Sequence, residues 1–457
     1  MKTRILSFLA STAALSTLVA CGADAGSDLG SDSTAQTEQS IIGGTAAPTG
    51  SNPWQARLSI TKSNGTYLCG GSLIASRWVM TAAHCIPGAT SIQVTLGDTT
   101  MSKPDAGEQV FSATRVIMNP WYNSASSDSD IALIELSGAA VPSSTVKVIE
   151  LAAQDIPVGT SVRVSGWGRY NTSSSNVSDT LQQLTTVTQN NATCTSELAK
   201  YGTLTDNMIC AGSSSQGACH GDSGGPLVAT DASGTPKLVG VVSWGAPTCS
   251  VRSVFTRVTR FRDWALKTMS AVQRKGMTWG KFYGLDAQLD PLSSRGLDRV
   301  GCWGEPLMSG AACNAYQGDT ACTESRPMLC VKQDGSPRPA YAMQGSASAM
   351  SVEYYNGWAN GELKLTTLSV PGYWLTSKAE ADRICGALLG SAWRMAEFHD
   401  GKYVPGMDAT HYFGSTWTSS AAQQQRSAWN LFAHGNIQST TSRFWVSIDD
   451  QAANCWN

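Results

Sequence analysis

The chain has 457 residues, of which 42 % are apolar and only 14 % charged, with a formal net charge of −2 at pH 7. That length exceeds one ordinary domain and predicts two or three. The near-neutral balance argues against nucleic-acid binding as the main role, because phosphate recognition needs a basic surface. Thirteen cysteines point to an oxidising compartment.

Met1-Lys2-Thr3-Arg4 is positively charged and residues 5–20 are apolar or small, the anatomy of a secretory signal peptide. The stretch ends in Leu18-Val19-Ala20-Cys21-Gly22, which resembles a bacterial lipobox, and Cys21 is the cysteine that makes the count odd. On that reading a lipid on Cys21 anchors an exported chain to the outer membrane or cell surface without spanning it. The alternative is an ordinary signal peptide with a chance cysteine near the cut. No later segment has eighteen uninterrupted apolar residues, so no transmembrane helix is predicted. Residues 22–40 are small and polar, cannot bury enough surface to order themselves, and read as a flexible tether.

From Ile41 short apolar runs alternate with turn residues. Trp54–Ile60, Ser72–Met80, Ile92–Leu96, Ile131–Leu136, Ser161–Gly166 and Leu238–Trp244 read as strands. Many short strands broken by Gly, Pro, Asn and Asp predict a sandwich or barrel. Phe261, Trp264, Ala265 and Met269 predict one amphipathic helix over about Val258–Val272. Along the same stretch lie His84 in Thr81-Ala82-Ala83-His84-Cys85, Asp130 in Asp130-Ile131-Ala132-Leu133, and Ser223 in the glycine-rich run Gly217–Pro226. A serine hydroxyl is a weak nucleophile until a base takes its proton and a third group orients that base. His84, Asp130 and Ser223 supply those three kinds of group, in the chain order of the chymotrypsin type. Asp128 is a competing aspartate; Asp130 is chosen because it directly precedes an apolar strand.

Seven segments in order carry a specific resemblance: Ile41-Ile42-Gly43-Gly44, Cys69–Ile74, Thr81–Cys85, Asp130–Leu136, Ser165–Gly168, Gly221–Pro226 and Ser243-Trp244-Gly245. Residues 41–275 resemble a chymotrypsin/trypsin-like serine protease. The resemblance implies a mainly β fold of two six-stranded antiparallel β-barrels with a C-terminal helix. It implies that Ser223 attacks the scissile carbonyl, His84 shuttles the proton, Asp130 orients the imidazole, and the backbone N–H groups of Gly221 and Ser223 form the oxyanion hole. It further implies a zymogen: cleavage between Ser40 and Ile41 would free an α-amino group to pair with buried Asp222. Three disulfides follow from the family pattern, Cys69–Cys85, Cys194–Cys210 and Cys219–Cys249; spacing alone leaves fifteen connectivities open.

In the family the residue six before the nucleophile sets the P1 pocket, and a trypsin-like enzyme carries aspartate there. This chain has Gly217, with Ser243, Trp244, Gly245 and Ser253 expected around the pocket. Without a carboxylate, burying Lys or Arg goes uncompensated, so a neutral P1 residue, aromatic or large aliphatic, is expected; His220 and Arg252 leave an acidic P1 as the minority alternative. Ser40 is neither aromatic nor basic, so a separate activating protease is expected, and its cut would sever the enzyme from Cys21. No cofactor is required. Asp98, Asp105 and Glu108, with the carbonyls of Thr100 and Lys103, match the family's calcium loop in spacing and are hard oxygen ligands; a solvated acidic loop is the equal alternative.

Beyond residue 276 this resemblance ends. Gly276–Val300 reads as a linker with some docked structure, and Cys302, Cys313, Cys322 and Cys330 as a small disulfide-stapled unit within 276–340. Residues 341–457 form a Trp-rich module, with a helix at Ser377–Leu389 carrying Cys385, a strand over Phe444–Ile448, and Cys455. A helix cysteine bridged to Cys455 gives this module a faint similarity to C-type lectin-like domains, without their sugar-binding calcium motif; an α+β fold is expected. Trp358, Trp374, Trp393, Trp417, Trp429 and Trp445 read as core or as a binding face, and His399, His411 and His434 lack metal-ligand spacing. The leading function is an exported serine endopeptidase acting on proteins or peptides. The alternative is an adhesion or recognition protein whose C-terminal module binds a surface ligand.

Overall fold

Alternation of buried and outward-facing side chains marks the strand that opens the first barrel. A computed structural model of the chain describes residues 41–169, 176–249, 252–281, 296–302, 313–314, 316–337, 356–398, 400, 430–437, 443–449 and 451–456. Cys21, the tether 22–40, His399, His411, Trp417 and Trp429 lie outside these residues. After the short β1 (Thr45–Ala46), β2 (Gln55–Lys62) buries Ala56, Leu58 and Ile60 while Arg57, Ser59 and Thr61 face outward. A period of two sends successive side chains to opposite faces. β3 (Gly65–Ala75), β4 (Trp78–Thr81), β5 (Ala89–Leu96), β6 (Gln109–Met118) and β7 (Ala132–Leu136) complete a closed antiparallel barrel in the order β2-β3-β4-β7-β6-β5.

The single strand expected over Ser72–Met80 is two, because exposed Ser76 and Arg77 turn the chain between β3 and β4. β6 escapes the apolar pattern: of its ten residues only Ile117 is buried. The second barrel follows β8 (Glu150–Leu151) and uses β9 (Ser161–Gly166), β10 (Gln182–Gln189), β11 (Met208–Ala211), β12 (Pro226–Thr230), β13 (Pro236–Gly245) and β14 (Ser253–Arg257). It closes antiparallel as β9-β10-β11-β14-β13-β12, with β1 added to β10 and β8 to β13. α1 (Asn191–Leu198) starts at Asn190, whose side chain accepts from the Ala192 N–H. α2 (Val258–Ala271) buries Val258, Phe261, Ala265 and Thr268 at helical spacing and joins the first barrel's apolar core.

Three residues after α2 the chain enters new β structure. β15 (Lys275–Gly276), β16 (Thr278–Lys281), β17 (Leu297–Gly301), β18 (Thr320–Ala321), β19 (Ser325–Arg326), β20 (Leu329–Gln333), β21 (Asn356–Leu365), β22 (Val370–Pro371), α3 (Lys378–Leu389), β23 (Arg394–Met395), β24 (Asn430–Gly435) and β25 (Phe444–Trp445) follow. Seven of these strands form one mixed sheet, β23-β20-β21-β24-β17-β16-β25. Thr278–Lys281, inside the stretch expected to be linker with some docked structure, is a fully buried strand of this sheet, and the sheet draws strands from both 276–340 and 341–457. Cys302 bonds Cys313, but Cys322 bonds Cys455 and Cys330 bonds Cys385. The helix cysteine is therefore bridged to β20 and not to Cys455, which removes the bridge behind the lectin-like similarity. Trp358, Trp393 and Trp445 are buried in this region and belong to its core. No helix among the described residues is long and apolar enough to cross a membrane.

Cys322–Cys455 spans 133 residues, and closing so long a loop is worth about 4–5 kcal/mol in the chain-entropy model. Replacing both cysteines with serine is expected to lower the melting temperature of the C-terminal sheet, read by calorimetry against the intact chain.

Candidate active site

His84 sits in a short turn, Ala83–Cys85, directly after β4, and Cys85 is bonded to Cys69 on β3. Asp130 lies at the end of the loop leading into β7. The two elements pair edge to edge, since β4 and β7 are neighbours in the first barrel. Asp130 is fully buried and grips His84 at two points. Its Oδ1 accepts the His84 backbone N–H at 2.8 Å, and its Oδ2 lies 2.7 Å from Nδ1 of the ring. With a carboxylate on Nδ1, that nitrogen carries the proton and Nε2 is left as the base. Ser243 on β13 donates its hydroxyl to the same Oδ2 at 2.6 Å, and Thr256 on β14 donates to the Asp130 carbonyl at 2.6 Å. The second barrel thus helps hold an aspartate of the first. Asp128 points elsewhere: its carboxylate accepts from Thr205 Oγ1 and from Asn207 Nδ2.

Ser223 comes from the loop before β12. The turn there depends on Gly224, at φ +79°, where a Cβ would lie 2.1 Å from Thr81 Oγ1 and 2.5 Å from the Gly70 carbonyl. Ser223 and His84 line one cavity of about 280 Å³, but no hydrogen bond joins Ser223 Oγ to His84 Nε2. The N–H groups of Gly221 and Ser223 have no acceptor among the described residues. The cavity is walled by Ala218, Cys219, Val242, Trp244, Gly245 and Ser253, among others. Gly217 does not line it; its N–H donates to the Ile42 carbonyl at 3.2 Å. Ser253 is committed to the wall, accepting from the Ala218 N–H at 2.9 Å and donating to its carbonyl at 3.3 Å. Cys219–Cys249 braces the pocket's side and Cys194–Cys210 ties α1 to β11. Ala218 and Val242 were not legible as pocket residues, since small apolar side chains carry no chemical signal.

Asp222 directly precedes Ser223. It is fully buried, accepts from the Gly168 N–H at 2.7 Å and the Cys219 N–H at 2.9 Å, and has no cationic partner among the described residues. Gly168 is required for that approach, because a Cβ there would fall 2.4 Å from Oδ2. Burial pushes the Asp222 carboxyl up to about 7, the two backbone donors opposing it.

A scan of family models matches the trypsin family to residues 41–265. Trypsin-3 of Salmo salar is 41 % identical over 239 residues, covering 51 % of this chain and 94 % of that protein. Trypsin I-P1 of Gallus gallus is 37 % identical over 241 residues, 52 % of this chain and 92 % of its own length. The trypsin of Xenopus laevis is 39 % identical over 239 residues, 51 % and 93 %. The chain belongs to the trypsin family. It is a serine endopeptidase, a hydrolase of protein or peptide substrates. The trypsin match ends at 265, so the seven-stranded sheet lies outside what these relatives share.

The carboxylates of the acidic loop are engaged by protein partners in this structure. Asp98 is paired with Arg57, Asp105 accepts the N–H groups of Thr99 and Thr100, and Glu108 accepts the Asp105 N–H. The Thr100 carbonyl accepts from Lys103. Among the described residues no cluster of three acidic, His or Cys side chains is placed to hold a metal.

In the uncut chain the folded state holds the Asp222 proton more tightly than the unfolded state does. Its contribution to stability is therefore full below pH 3.8, and is lost as pH rises towards about 7. Urea midpoints of the uncut chain are expected to fall between pH 4 and pH 7 relative to Asp222→Asn, which keeps a neutral group at every pH. Parallel curves for the two proteins would contradict the assignment.

Proposed function

We propose that Ser223, His84 and Asp130 are the catalytic triad of a zymogen switched on by cleavage before Ile41. The observation that carries this is the two-point grip of a fully buried Asp130 on His84, with Ser223 in the same cavity. His84 Nε2 takes the Ser223 proton as Oγ attacks the scissile carbonyl, and returns it to the leaving amine. The uncommitted N–H groups of Gly221 and Ser223 receive the oxyanion. Donors aimed at developing charge are the larger part of such catalysis, each worth about 2.7–4 kcal/mol. The missing Ser223–His84 hydrogen bond is compatible with this role, since such contacts tighten when substrate binds.

Activation follows from Asp222. A buried carboxylate without a cation is costly, and a new α-amino group on Ile41 would supply that cation. Ile41 already sits in the second barrel's apolar core, fully buried. Its φ of 52° lies in the left-handed region, which a β-branched residue adopts only under strain, so a cut on its N-terminal side also releases backbone strain. A separate protease is the activator, because Ser40 does not suit the pocket. With lipid on Cys21 of an exported chain, that cut would also release the enzyme from the membrane surface.

The P1 pocket is read as neutral. Among the described residues no Asp or Glu lines the cavity, and the Ser253 hydroxyl is spent on Ala218. Peptide amides with Phe or Leu at P1 should therefore be cleaved faster than those with Arg. A chromogenic panel on the cleaved enzyme checks this, and a strong preference for Arg would overturn it. Ser223→Ala is expected to lower kcat by about 10⁶-fold while leaving the melting temperature close to wild type.

A further inference from the structure

The loop that delivers Asp130 is held from outside the trypsin-like part of the chain. Residues 119–131 form a closed loop, with the Asn119 N–H donating to the Ile131 carbonyl at 2.9 Å. Inside it the Asn119 side chain accepts from the Trp121 N–H, and the Asn123 N–H reaches the Asp128 carbonyl. Ser127 and Ser129 have φ values of 54° and 55°, so the backbone on both sides of Asp128 is left-handed and strained. A strained segment persists only where its surroundings over-determine it. One restraint is the Asp128 carboxylate on Thr205 and Asn207 of the second barrel. The other is Trp121.

Trp121 projects onto α3. Its indole Nε1–H donates to Glu380 Oε1 at 2.5 Å, and the Arg383 guanidinium carbon lies 3.2 Å from the ring centre. Arg383 in turn donates twice to Glu380, at 3.0 and 2.9 Å, one helical turn away. The pair is built into the helix: Ser377 caps α3 by accepting the Glu380 N–H. α3 is itself fastened by Cys330–Cys385 and packs with Trp121 in one apolar cluster. Tyr373, just before α3, packs against the first barrel's core near Arg115 of β6. The C-terminal region is thus seated on the wall of the barrel that carries His84 and Asp130.

We propose that α3 acts as a built-in clamp on the protease: Glu380 and Arg383 hold Trp121, and through it the 119–131 loop that sets Asp130 against His84. Trp121, Glu380 and Arg383 are positioning residues, and the appended region is a working part of the enzyme and not only a binding module. The proposal rests on reading Asp130 as the carboxylate that orients His84. Loosening the clamp lets Asp130 drift from His84, and displacements of about 1 Å at such a contact cost up to about 10²-fold in rate. Groups facing Asp130 are His84, the Ser243 hydroxyl, and Tyr122, whose hydroxyl is pushed up to about 12 by burial and by the Asp130 charge.

The test uses the full chain cleaved before Ile41, with reactive sites counted by a serine phosphonate so that kcat refers to folded enzyme. Trp121→Phe, which removes the indole donor, and Glu380→Ala should each lower kcat by roughly tenfold with KM for a short peptide amide unchanged. Both should move the acid limb of the kcat/KM profile to lower pH, because a less well-placed carboxylate stabilises the imidazolium less. Glu380→Gln keeps an oxygen for the indole and should recover most of the loss. Wild-type kcat per site and an unmoved acid limb in both variants would overturn the proposal. Asp130→Asn separates the two readings. If it abolishes activity while the clamp variants do nothing, only the clamp fails; if it leaves kcat intact, the triad reading fails and the clamp with it.

Discussion

Asp222 is a carboxylate held fully out of water on two backbone N–H donors, with no cation beside it among the described residues, and the site is arranged around that imbalance. Taking a carboxylate out of water costs several kcal/mol unless charge and hydrogen bonds compensate. The chain buries a second carboxylate, Asp130, under different terms. That one has an imidazole, a backbone N–H and the Ser243 hydroxyl around it. One buried acid is thus satisfied and fixes the imidazole beside it, while the other rests on two backbone donors alone among the described residues. Ser223 follows Asp222 directly, so whatever settles Asp222 also settles the geometry of the nucleophile and the two N–H groups beside it.

Both barrels were legible where residues alternate cleanly or carry a chemical signature. β2 and β9 could be read from apolar spacing, and α2 from its helical stripe. His84, Asp130 and Ser223 stood out because each sits in a short, distinctive context. β6 and β10 were missed, since their outward faces are rich in Thr, Gln and Ser and few of their residues are buried. In the acidic loop, spacing brought out Asp98, Asp105 and Glu108 but not the Arg57 partner of Asp98 on the neighbouring strand, a contact 41 residues away in sequence. Gly217 shows the same limit in the pocket: its place in the sequence is informative, but the wall is made by Ala218 and Ser253.

The C-terminal region was the least legible. Cys322 and Cys330 are bonded across long separations, so their local clustering with Cys302 and Cys313 was misleading, and its sheet mixes strands from both ends of the region. Besides Tyr373 on the first barrel's core, it meets the enzyme through one tryptophan on one loop, against a Glu–Arg pair one turn apart on a helix. Nothing in either stretch alone announces that contact. Strain at Ser127 and Ser129 gives it a physical meaning, because a loop of that shape needs holding on more than one side.

On the proposed function, Ser223 is a nucleophile assembled with His84 and Asp130 and made reactive when Asp222 receives the Ile41 amino group. The most direct measurement is labelling with an active-site serine phosphonate, followed by mass mapping and N-terminal sequencing of the labelled species. One label per molecule is expected, on Ser223, in chains that begin at Ile41, and little in chains that still carry Ser40. Equal labelling of cut and uncut chains, or label on another serine, would contradict it.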